Sequence, residues 1–461
     1  MNRDKEPAFY QEQSPEVSTI DLFIKNFESL AKSQQKIIIE GRVISIKKFG
    51  KIAFIKISRD FGELQAILNK NEKGCRVFFN SKINIGDIVS VSGTASKNNK
   101  IPSLYVTNFL VLSKCLKILP KIIKDESFAV KHRYLDLIIN PEVKDRFTKC
   151  SILIMSIREF LKQNNFLEFD TGILKSEYDG GDAKPFITHH NALDMNFYLR
   201  ITMEVQLKQL LIGGYDKVFE LSKSFRNEGI DHFHYPEFNL LELYSAYTDI
   251  SELLKLLPEL IKYIATTLGV TELQYMGNTI KILDEWDTIN VPCAFKKYAD
   301  IDIDEVRKSE EKRIEISKEL GYKETQTLSV LLHKIITEKI QPNLIKPTFL
   351  TDIPIELSPF AKPKMQSPMY AERAWLYILG FDICDVYSDL NDVDAITKRF
   401  EDQDKQTNRN GGYSHKRSDF IESLSYGMPP SAGFGMSVSR LQMLFTNSRN
   451  IRDVILFPHG V

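Results

Sequence analysis

The sequence predicts an α+β protein in which a small β-domain is followed by a larger mixed domain. Two observations lead to this prediction. Short runs of β-branched and aromatic residues, separated by glycines and Asn/Lys turns, occupy residues 35–115, and this pattern is typical of a β-domain. From Asp145 onward, segments with helical periodicity alternate with further strands. A chain of 461 residues is long enough for two or three domains.

The β-domain is expected over residues 35–118, after an N-terminal extension, 1–34, with a helix around 20–33. Five runs predict its strands: "KIIIEGRVISIKKF", "KIAFIKIS", "GELQAIL", "GDIVSVSGTAS" and "SLYVTNFLVLS". Because apolar and polar residues mostly alternate along these runs, each strand should bury one face, which favours a small closed or sandwiched β-domain.

A linker is expected over 119–144 and a second domain over 145–461. The second domain begins with a long amphipathic helix, whose apolar residues recur on one face: Phe147, Cys150, Ile154, Ile157 and Leu161. This face packs either into the core of the same subunit or against a second subunit. Strands such as "VFELSKSF" and "NLLELYSAY" then mix with helices around 251–269, 304–320 and 327–339, as in an α+β domain.

Composition excludes several classes of protein. Lys+Arg and Asp+Glu both number 61, so any contact with nucleic acid must come from a local surface. The five cysteines contain no CxxC pair, which argues against a disulfide framework or a cysteine zinc site and fits a reducing compartment. No apolar run approaches the roughly 20 residues of a membrane span, and the start lacks a signal-peptide core. We expect a soluble, cytoplasmic protein with no membrane partner.

The stretch "FRNEGIDHFHYPEF", residues 225–238, is the first candidate site. Arg226 and Glu228 are two residues apart, so on an extended strand their side chains would share one face. A guanidinium binds a carboxylate or a phosphate through two parallel hydrogen bonds, and a nearby carboxylate accepts from an amine or helps to hold a metal. The alternative is an ordinary salt bridge between the two.

Two later stretches are further candidates. In "PPSAGFGMSVSRLQMLF", Gly433 and Gly435 precede Arg440; small residues let a backbone approach a flat ligand, and the arginine can meet phosphate oxygens. The stretch "DICDVYSDLND" concentrates acidic residues, which form either a solvated face or a pocket for a cation or an amine: Asp382, Asp385, Asp389 and Asp392.

Taken in order, these stretches resemble class II lysyl-tRNA synthetases. The resemblance runs from about residue 36 to 458 and rests on "HRYLDLI", "GGDAKPFITHHNALD", "YLRITMEVQLKQLLIGG", "FRNEGIDHFHYPEF", "SDLND" and "GMPPSAGFGMSVSRLQMLFTNSRNIRDVILFP". The first candidate stretch resembles motif 2 of these enzymes, and the glycine-rich one resembles motif 3. The resemblance implies an N-terminal OB-fold barrel and a class II catalytic domain built on an antiparallel sheet with flanking helices.

The resemblance also implies a reaction and its partners. Lysine and ATP, with Mg²⁺, would give lysyl-adenylate, and a tRNA, expected to be tRNA-Lys, would take the lysyl group. Such enzymes are homodimers whose motif 1 helix, here 145–163, lies at the two-fold interface. No DNA partner is expected.

Residue roles follow from the same resemblance. The implied catalytic residues are Arg226, Glu228 and Arg440. The implied ATP-binding residues are Arg226, Glu228, His234, Phe238, Asp382 and Arg440, with Asp382 also a metal ligand. The implied amino-acid-binding residues are Gly180, Glu204, Arg226, Glu242, Tyr244, Asp385, Tyr387 and Asp389. On the OB-fold, Phe54 and Gln65 match positions that contact the anticodon, although Phe54 would alternatively fill the barrel.

Several positions depart from the family pattern. Gly172 replaces a motif 1 proline, and Ser437 and Ser439 replace a glycine and an aspartate of motif 3. Trp375 and Asp382 stand where two glutamates bind magnesium, and Asp385 and Asp389 stand for an asparagine and a glutamate of the amino-acid pocket. These changes predict altered metal dependence and specificity. They leave open two alternatives: a paralogue that transfers its amino acid to another acceptor, or a weakened RNA-binding or regulatory protein.

Overall fold

The computed structural model describes residues 18–98, 101–177, 183–322, 327–358, 360–409 and 418–459. The chain divides into two compact units, Met1–Pro141 and Glu142–Val461. No helix in these described ranges is long and apolar enough to cross a membrane. All five cysteines are free thiols.

The first unit contains a closed β-barrel, which confirms the predicted β-domain. Its elements are α1 (Ile20–Lys25), α2 (Phe27–Ser33), β1 (Ile37–Phe49), β2 (Ile52–Arg59), β3 (Gly62–Asn69), α3 (Arg76–Asn80), β4 (Ile88–Asn98) and β5 (Ile101–Ser113). The strands close in the order β1-β2-β3-β5-β4. The first part of β1 pairs with β4 and the part from Arg42 onward pairs with β2, and the β2 pairing has a register shift between Val43 and Ser45. Such a bulge bends a long strand, and here it lets β1 close the barrel.

The segment expected to be a linker contains two short helices, α4 (Glu126–Lys131) and α5 (Arg133–Ile139). A buried ion pair anchors α5, because Arg133 Nη1 donates to Asp136 Oδ2 at 2.6 Å. Asn140 Nδ2 donates to the other oxygen of that carboxylate at 2.7 Å. Sequence reasoning missed these helices because each is less than two turns long and carries no extended apolar stripe.

The second unit is built on a mixed sheet. Its strands are β6 (Leu167–Glu168), β7 (Leu174–Lys175), β8 (Ile187–His190), β9 (Met195–Leu199), β10 (Lys217–Phe225), β11 (Glu237–Ala246), β12 (Glu272–Tyr275), β13 (Asn278–Lys281), β14 (Asp287–Asn290), β15 (Thr348–Thr351), β16 (Arg373–Ile378), β17 (Phe381–Ser388) and β18 (Ser431–Ser437). The large sheet has eight strands in the order β14-β15-β16-β17-β18-β11-β10-β6. Its six central strands are antiparallel, as predicted. The pairings at its two edges are parallel.

The helices of this unit are α6 (Pro141–Gln163), α7 (Glu204–Ile212), α8 (Ile250–Leu268), α9 (Val291–Ala299), α10 (Ile303–Lys308), α11 (Glu310–Glu319), α12 (Leu328–Ile335), α13 (Val393–Arg409), α14 (Ser418–Leu424) and α15 (Val438–Phe445). The long helix predicted from Asp145 is α6, and it begins at Pro141, where proline is well tolerated in a first turn. Its apolar residues Cys150, Ile157 and Leu161 are buried in the largest core cluster of the unit. The apolar face of α6 therefore packs into its own subunit.

Candidate active site

Strand alternation gives the sheet one face that packs into the main core and an opposite face that carries polar side chains beside a smaller apolar cluster. On β11, Leu241 and Leu243 are buried in the main core, while Glu242 points to the opposite side. On β18, Phe434 and Met436 enter the same core. The polar face thus collects side chains from β11, β17 and β18 above α7, which begins at Glu204.

A cavity of about 470 Å³ opens on this polar face. Its lining includes most of the residues implied by the resemblance: Glu204, Arg226, Glu228, His234, Phe238, Glu242, Asp382, Asp385, Tyr387 and Arg440. Two others, Tyr244 and Asp389, lie behind the described lining and are almost inaccessible to solvent. Gly180 falls outside the described residues.

Arg226 and Glu228 lie on the loop that joins β10 to β11, since β10 ends at Phe225. The expectation that they share a strand face is therefore wrong. The backbone N–H of Arg226 donates to the carbonyl oxygen of Pro236 at 2.8 Å, which closes the base of this loop. The Arg226 guanidinium lies over the Phe238 ring, with its carbon 5.1 Å from the ring centroid. No salt bridge joins Arg226 to Glu228 among the described contacts, and both residues line the cavity.

Arg440 joins three parts of the site. Its Nη1 donates to the carbonyl oxygen of Asp382 at 2.8 Å, and its Nη2 lies 3.0 Å from His234 Nε2. Because a guanidinium only donates, Nε2 must accept, so the His234 proton is on Nδ1. That nitrogen lies 2.8 Å from Asp231 Oδ2. These hydrogen bonds therefore link the β10–β11 loop, α15 and β17.

Asp385 is held by Arg373 rather than left as a free charge. Arg373 Nε donates to Oδ1 at 2.8 Å and Nη2 donates to Oδ2 at 2.6 Å, which is a fork on both carboxylate oxygens. The same guanidinium lies over the indole of Trp375, 5.2 Å from the ring centroid. Trp375 is itself buried in a core cluster with Leu350. The negative charge of Asp385 is thus compensated within the protein.

Glu242 lies at the floor of the cavity among hydroxyl groups. Its Oε1 accepts from Thr202 Oγ1 at 2.6 Å, and its Oε2 lies 3.0 Å from the Tyr244 hydroxyl. The Tyr244 hydroxyl lies 3.1 Å from that of Tyr387, which donates to Glu204 Oε1 at 2.8 Å. Burial, reinforced by the charge of Glu204, raises the pKa of Glu242 to about 8.

Lys208 is a buried cation at this site that the sequence reasoning missed. Its Nζ donates to Glu204 Oε1 at 2.6 Å and lies 2.7 Å from Asp389 Oδ1. The side chain is 5% exposed. Burial alone would lower the pKa of Lys208, but Asp389 and Glu204 together hold it above its ordinary value. The signal in the sequence was the spacing of Glu204 and Lys208, one helical turn apart in "EVQLK".

The two glycines of β18 leave room for these side chains. A Cβ at Gly433 would come 2.1 Å from the Tyr244 ring. Gly433 pairs with Tyr244 on one side and Tyr387 on the other, so its missing side chain lets the two hydroxyls meet. At Gly435, a Cβ would lie 3.4 Å from both oxygens of Glu242. Gly433 therefore accommodates the protein's own ring, whereas Gly435 leaves the approach to Glu242 open.

The two anticodon candidates lie on the barrel of the first unit. Phe54 stands between the buried residues Ala53 and Ile55 of β2, so its ring points outward. This orientation argues against the alternative that Phe54 fills the barrel. The ring makes an edge contact with exposed Phe49, with centroids 6.0 Å apart. Gln65 Nε2 donates to Ser103 Oγ at 3.2 Å.

No group of three or more His, Cys, Asp or Glu side chains is arranged to hold a metal ion within the described residues. Asp382 faces the cavity, but the tryptophan at position 375 offers no oxygen. A site in which two protein carboxylates hold Mg²⁺ does not fit these residues, because Mg²⁺ prefers hard oxygen ligands.

The chain is similar to known proteins in both of its units. Residues 37–112 match the model of an OB-fold nucleic acid binding domain. Lysine–tRNA ligases are similar over nearly the whole chain. The protein of Thermoanaerobacter pseudethanolicus is 41% identical over 94% of this chain and 88% of its own length. That of Clostridium tetani is 37% identical over the same shares. That of Pelotomaculum thermopropionicum is 38% identical over 99% of this chain and 92% of its own length.

A second family model covers nearly all of the second unit and the end of the first. Residues 125–460 match the model described as tRNA synthetases class II (D, K and N). This match covers more than half of the chain, and it spans the β10–β11 loop, the β17 carboxylates and the β18–α15 glycine stretch described above. The chain therefore belongs to the class II tRNA synthetases of the D, K and N group.

Proposed function

We propose that this protein activates lysine with ATP and transfers it to tRNA, expected to be tRNA-Lys, in the cytoplasm. One observation carries the proposal: a single cavity is lined by Arg226, Arg440 and Phe238 as well as by Glu204 and Glu242. Cationic and aromatic groups suit a nucleoside triphosphate, and carboxylates suit the two ammonium groups of lysine. The named relatives, all lysine–tRNA ligases, support the same function.

For the first step, we assign the nucleotide to the side of the cavity formed by the β10–β11 loop. Phe238 stacks on adenine, while Glu228 and His234 orient ATP. Arg226 binds both the α-phosphate and the lysine carboxylate, which reduces their repulsion as a carboxylate oxygen attacks phosphorus and pyrophosphate leaves. Arg440 turns from Asp382 and His234 to the γ-phosphate.

For the amino acid, Glu204 and Gly180 receive the α-amine, and Tyr387 borders the side-chain pocket that ends at Glu242. Asp385 contributes through its fork with Arg373 rather than as a free anion. In the second step a ribose hydroxyl of tRNA attacks the lysyl carbonyl carbon, and AMP leaves. We further propose domain limits of 35–118 for the anticodon-binding domain and 145–461 for the catalytic domain, with 1–34 as an extension and 119–144 as the linker.

Lysine-dependent ATP–pyrophosphate exchange, followed by lysylation of a tRNA-Lys transcript, tests this function. We expect both activities. Exchange without lysylation would instead support a paralogue with another acceptor. Absence of both, in protein that binds tRNA, would support a regulatory protein.

We expect the exchange reaction to need no Mg²⁺ beyond that bound to ATP. Since Asp382 is the one family-type carboxylate left at the phosphates, we expect ATP to bring its own Mg²⁺ and to gain little from further metal. Exchange measured at fixed Mg·ATP should therefore not rise with additional free Mg²⁺. A steep further rise would contradict this expectation. Asp382→Asn should weaken Mg·ATP binding by about tenfold or less, as expected for one partly exposed carboxylate.

We also propose a homodimer. The buried face of α6 is not available for it, but the outer side carries exposed Met155, and β6 and β7 expose Leu167 and Leu174. β6 is an edge strand of the large sheet, and unprotected edges tend to pair. Sedimentation velocity at micromolar concentration should give a dimer, and Met155→Lys should weaken it. Tyr426→Lys, at another exposed position, is the matched control. A wild-type monomer would refute the proposal.

Recognition of tRNA should depend on Phe54. Stacking of one base on an aromatic ring contributes about 1–3 kcal/mol, so Phe54→Ala should raise the KM for tRNA roughly fivefold to a hundredfold. Phe61→Ala removes another exposed aromatic ring of the barrel and serves as control. An equal effect of the two changes would indicate that Phe54 has no specific role.

A further inference from the structure

The side-chain end of the amino-acid site already contains a cation of the protein itself. Lys208 Nζ lies 2.6 Å from Glu204 Oε1 and 2.7 Å from Asp389 Oδ1. The rings of Tyr244 and Tyr387 flank it, with centroids 5.2 and 5.1 Å from Nζ. Two carboxylates and two aromatic faces make a binding site for an ammonium group, and that site is filled by Lys208.

Asp389 is consequently paired within the protein and not accessible to a ligand. Its Oδ1 faces Lys208, and its Oδ2 accepts from Ser431 Oγ at 2.7 Å. The side chain is 1% exposed and does not reach the described cavity lining. A substrate ammonium would have to displace Lys208 to reach Asp389, which would leave a buried lysine without its partner.

Glu242 differs from both other carboxylates. None of the described salt bridges involves it, and its described hydrogen-bond partners are the hydroxyls of Thr202 and Tyr244. It lines the cavity, and Gly435 leaves the space above both of its oxygens open. Of the three carboxylates, Glu242 is the one that is both accessible and without a protein cation.

Hydroxyl groups contact Glu242 before substrate binds. Thr202 Oγ1 donates to its Oε1 at 2.6 Å, and the Tyr244 hydroxyl donates to its Oε2 at 3.0 Å. The Tyr387 hydroxyl donates to Glu204 instead. These neutral donors leave Glu242 without a cation until one enters the cavity.

We propose that Lys208 is a resident counter-cation that neutralises Glu204 and Asp389, so that Glu242 alone receives the ammonium of the substrate side chain. Lys208 is thus a positioning residue for specificity. The inference rests on the proposed function, since it names how that site selects lysine. It differs from the role implied by the resemblance, in which Asp389 itself binds the amino acid.

The KM for lysine should therefore depend on pH through the ionisation of Glu242. The charged or titratable groups that act on Glu242 are Glu204 and Lys208 from α7, Arg226 from the β10–β11 loop, Tyr244 on its own strand, and Cys384 and Tyr387 from β17. With the pKa of Glu242 at about 8, the carboxyl is mostly protonated at pH 7, so lysine must displace that proton. The KM for lysine should therefore fall about tenfold from pH 6 to pH 7 and level off above pH 8.

Calorimetry of lysine binding to the wild-type protein tests this proton exchange at Glu242 without any variant. Titrations at pH 7 in buffers of different ionisation enthalpy should show release of close to one proton per lysine. Binding without proton release would overturn the inference while leaving the proposed function intact. Absence of lysine binding would overturn the proposed function, and this inference with it.

Variants locate the proton and the charge. Glu242→Gln should abolish proton release and raise the KM for lysine at least about thirtyfold, as for loss of one partner of a buried ion pair. Gly435→Ala should also raise the KM, because its methyl group fills the approach to Glu242 at ordinary contact distance. Asp389→Asn should keep proton release and raise the KM less than about tenfold. The reverse ranking of Asp389→Asn and Glu242→Gln would overturn the proposal.

Lys208 is tested through its coupling to Asp389. Lys208→Met alone leaves Glu204 and Asp389 facing each other, so it should lower the melting temperature and raise the KM for lysine. Adding Asp389→Asn removes one of these charges and should recover much of both losses. Equal KM values in the single and double variants would overturn the role of Lys208. If Lys208→Met does not fold, wild-type proton release and Gly435→Ala still decide between the two carboxylates.

Discussion

Arg226→Ala should abolish lysine-dependent ATP–pyrophosphate exchange while the protein remains folded. The side chain belongs to a loop, faces the cavity and packs on one face of the Phe238 ring, so its loss removes little core packing. What is lost is a forked donor placed where charge develops between the attacking carboxylate and the α-phosphate. Removal of one such preorganised donor costs about 3–4 kcal/mol, or roughly a hundredfold to a thousandfold in rate.

Two further variants make this result specific to the fork. Arg226→Lys should rescue little, because an ammonium cannot form two parallel hydrogen bonds. Lys223→Ala removes a cation on the adjoining strand that pairs with Glu237 at 3.3 Å and does not line the cavity, so exchange should persist. Exchange activity that survives Arg226→Ala would show that the β10–β11 loop does not hold the reacting groups.

The barrel and the long helix were predictable from local sequence, because burial alternates along β1 to β5 and follows a helical face on α6. The same reasoning gave only two choices for the buried face of α6, since the pattern shows that a face is apolar but not which surface covers it. The loop position of Arg226 was missed for a related reason. A two-residue spacing describes a strand only where pairing continues, and the pairing of β10 with β11 stops at Phe225.

The resemblance assigned residues to the site, but it could not give the internal pairing of their charges. Asp385 and Asp389 look alike in "DICDVYSDLND", yet Arg373 neutralises the first and Lys208 the second. Neither partner is near these aspartates in sequence, because each comes from another element of the fold. Which carboxylates are already paired within the protein therefore depends on tertiary contacts and cannot be read from the local sequence.

Arg200→Met should destabilise the catalytic unit by about 3–5 kcal/mol, the usual cost of removing one partner of a buried ion pair. Arg200 Nη1 donates to Glu220 Oε1 at 2.6 Å, and the two side chains are 0% and 3% exposed. Arg200 Nη2 donates to Ser222 Oγ at 2.6 Å, and Nε donates to the carbonyl oxygen of Lys223 at 3.0 Å. Without the guanidinium, Glu220 keeps a buried charge with no cation, and β10 loses a clamp.

A surface pair provides the control for this prediction. Arg158 Nε lies 2.8 Å from Glu168 Oε1, but the side chains are 44% and 38% exposed, so Arg158→Met should cost less than about 1 kcal/mol. The measurement is urea unfolding followed by tryptophan fluorescence, since both tryptophans, Trp286 and Trp375, lie in the second unit.

Because Arg200 stands two residues before Thr202, its loss should also disturb the contact of Thr202 with Glu242 and raise the KM for lysine. Similar stability losses for Arg200→Met and Arg158→Met would contradict this prediction. They would mean that burial does not increase the contribution of the Arg200–Glu220 ion pair to stability.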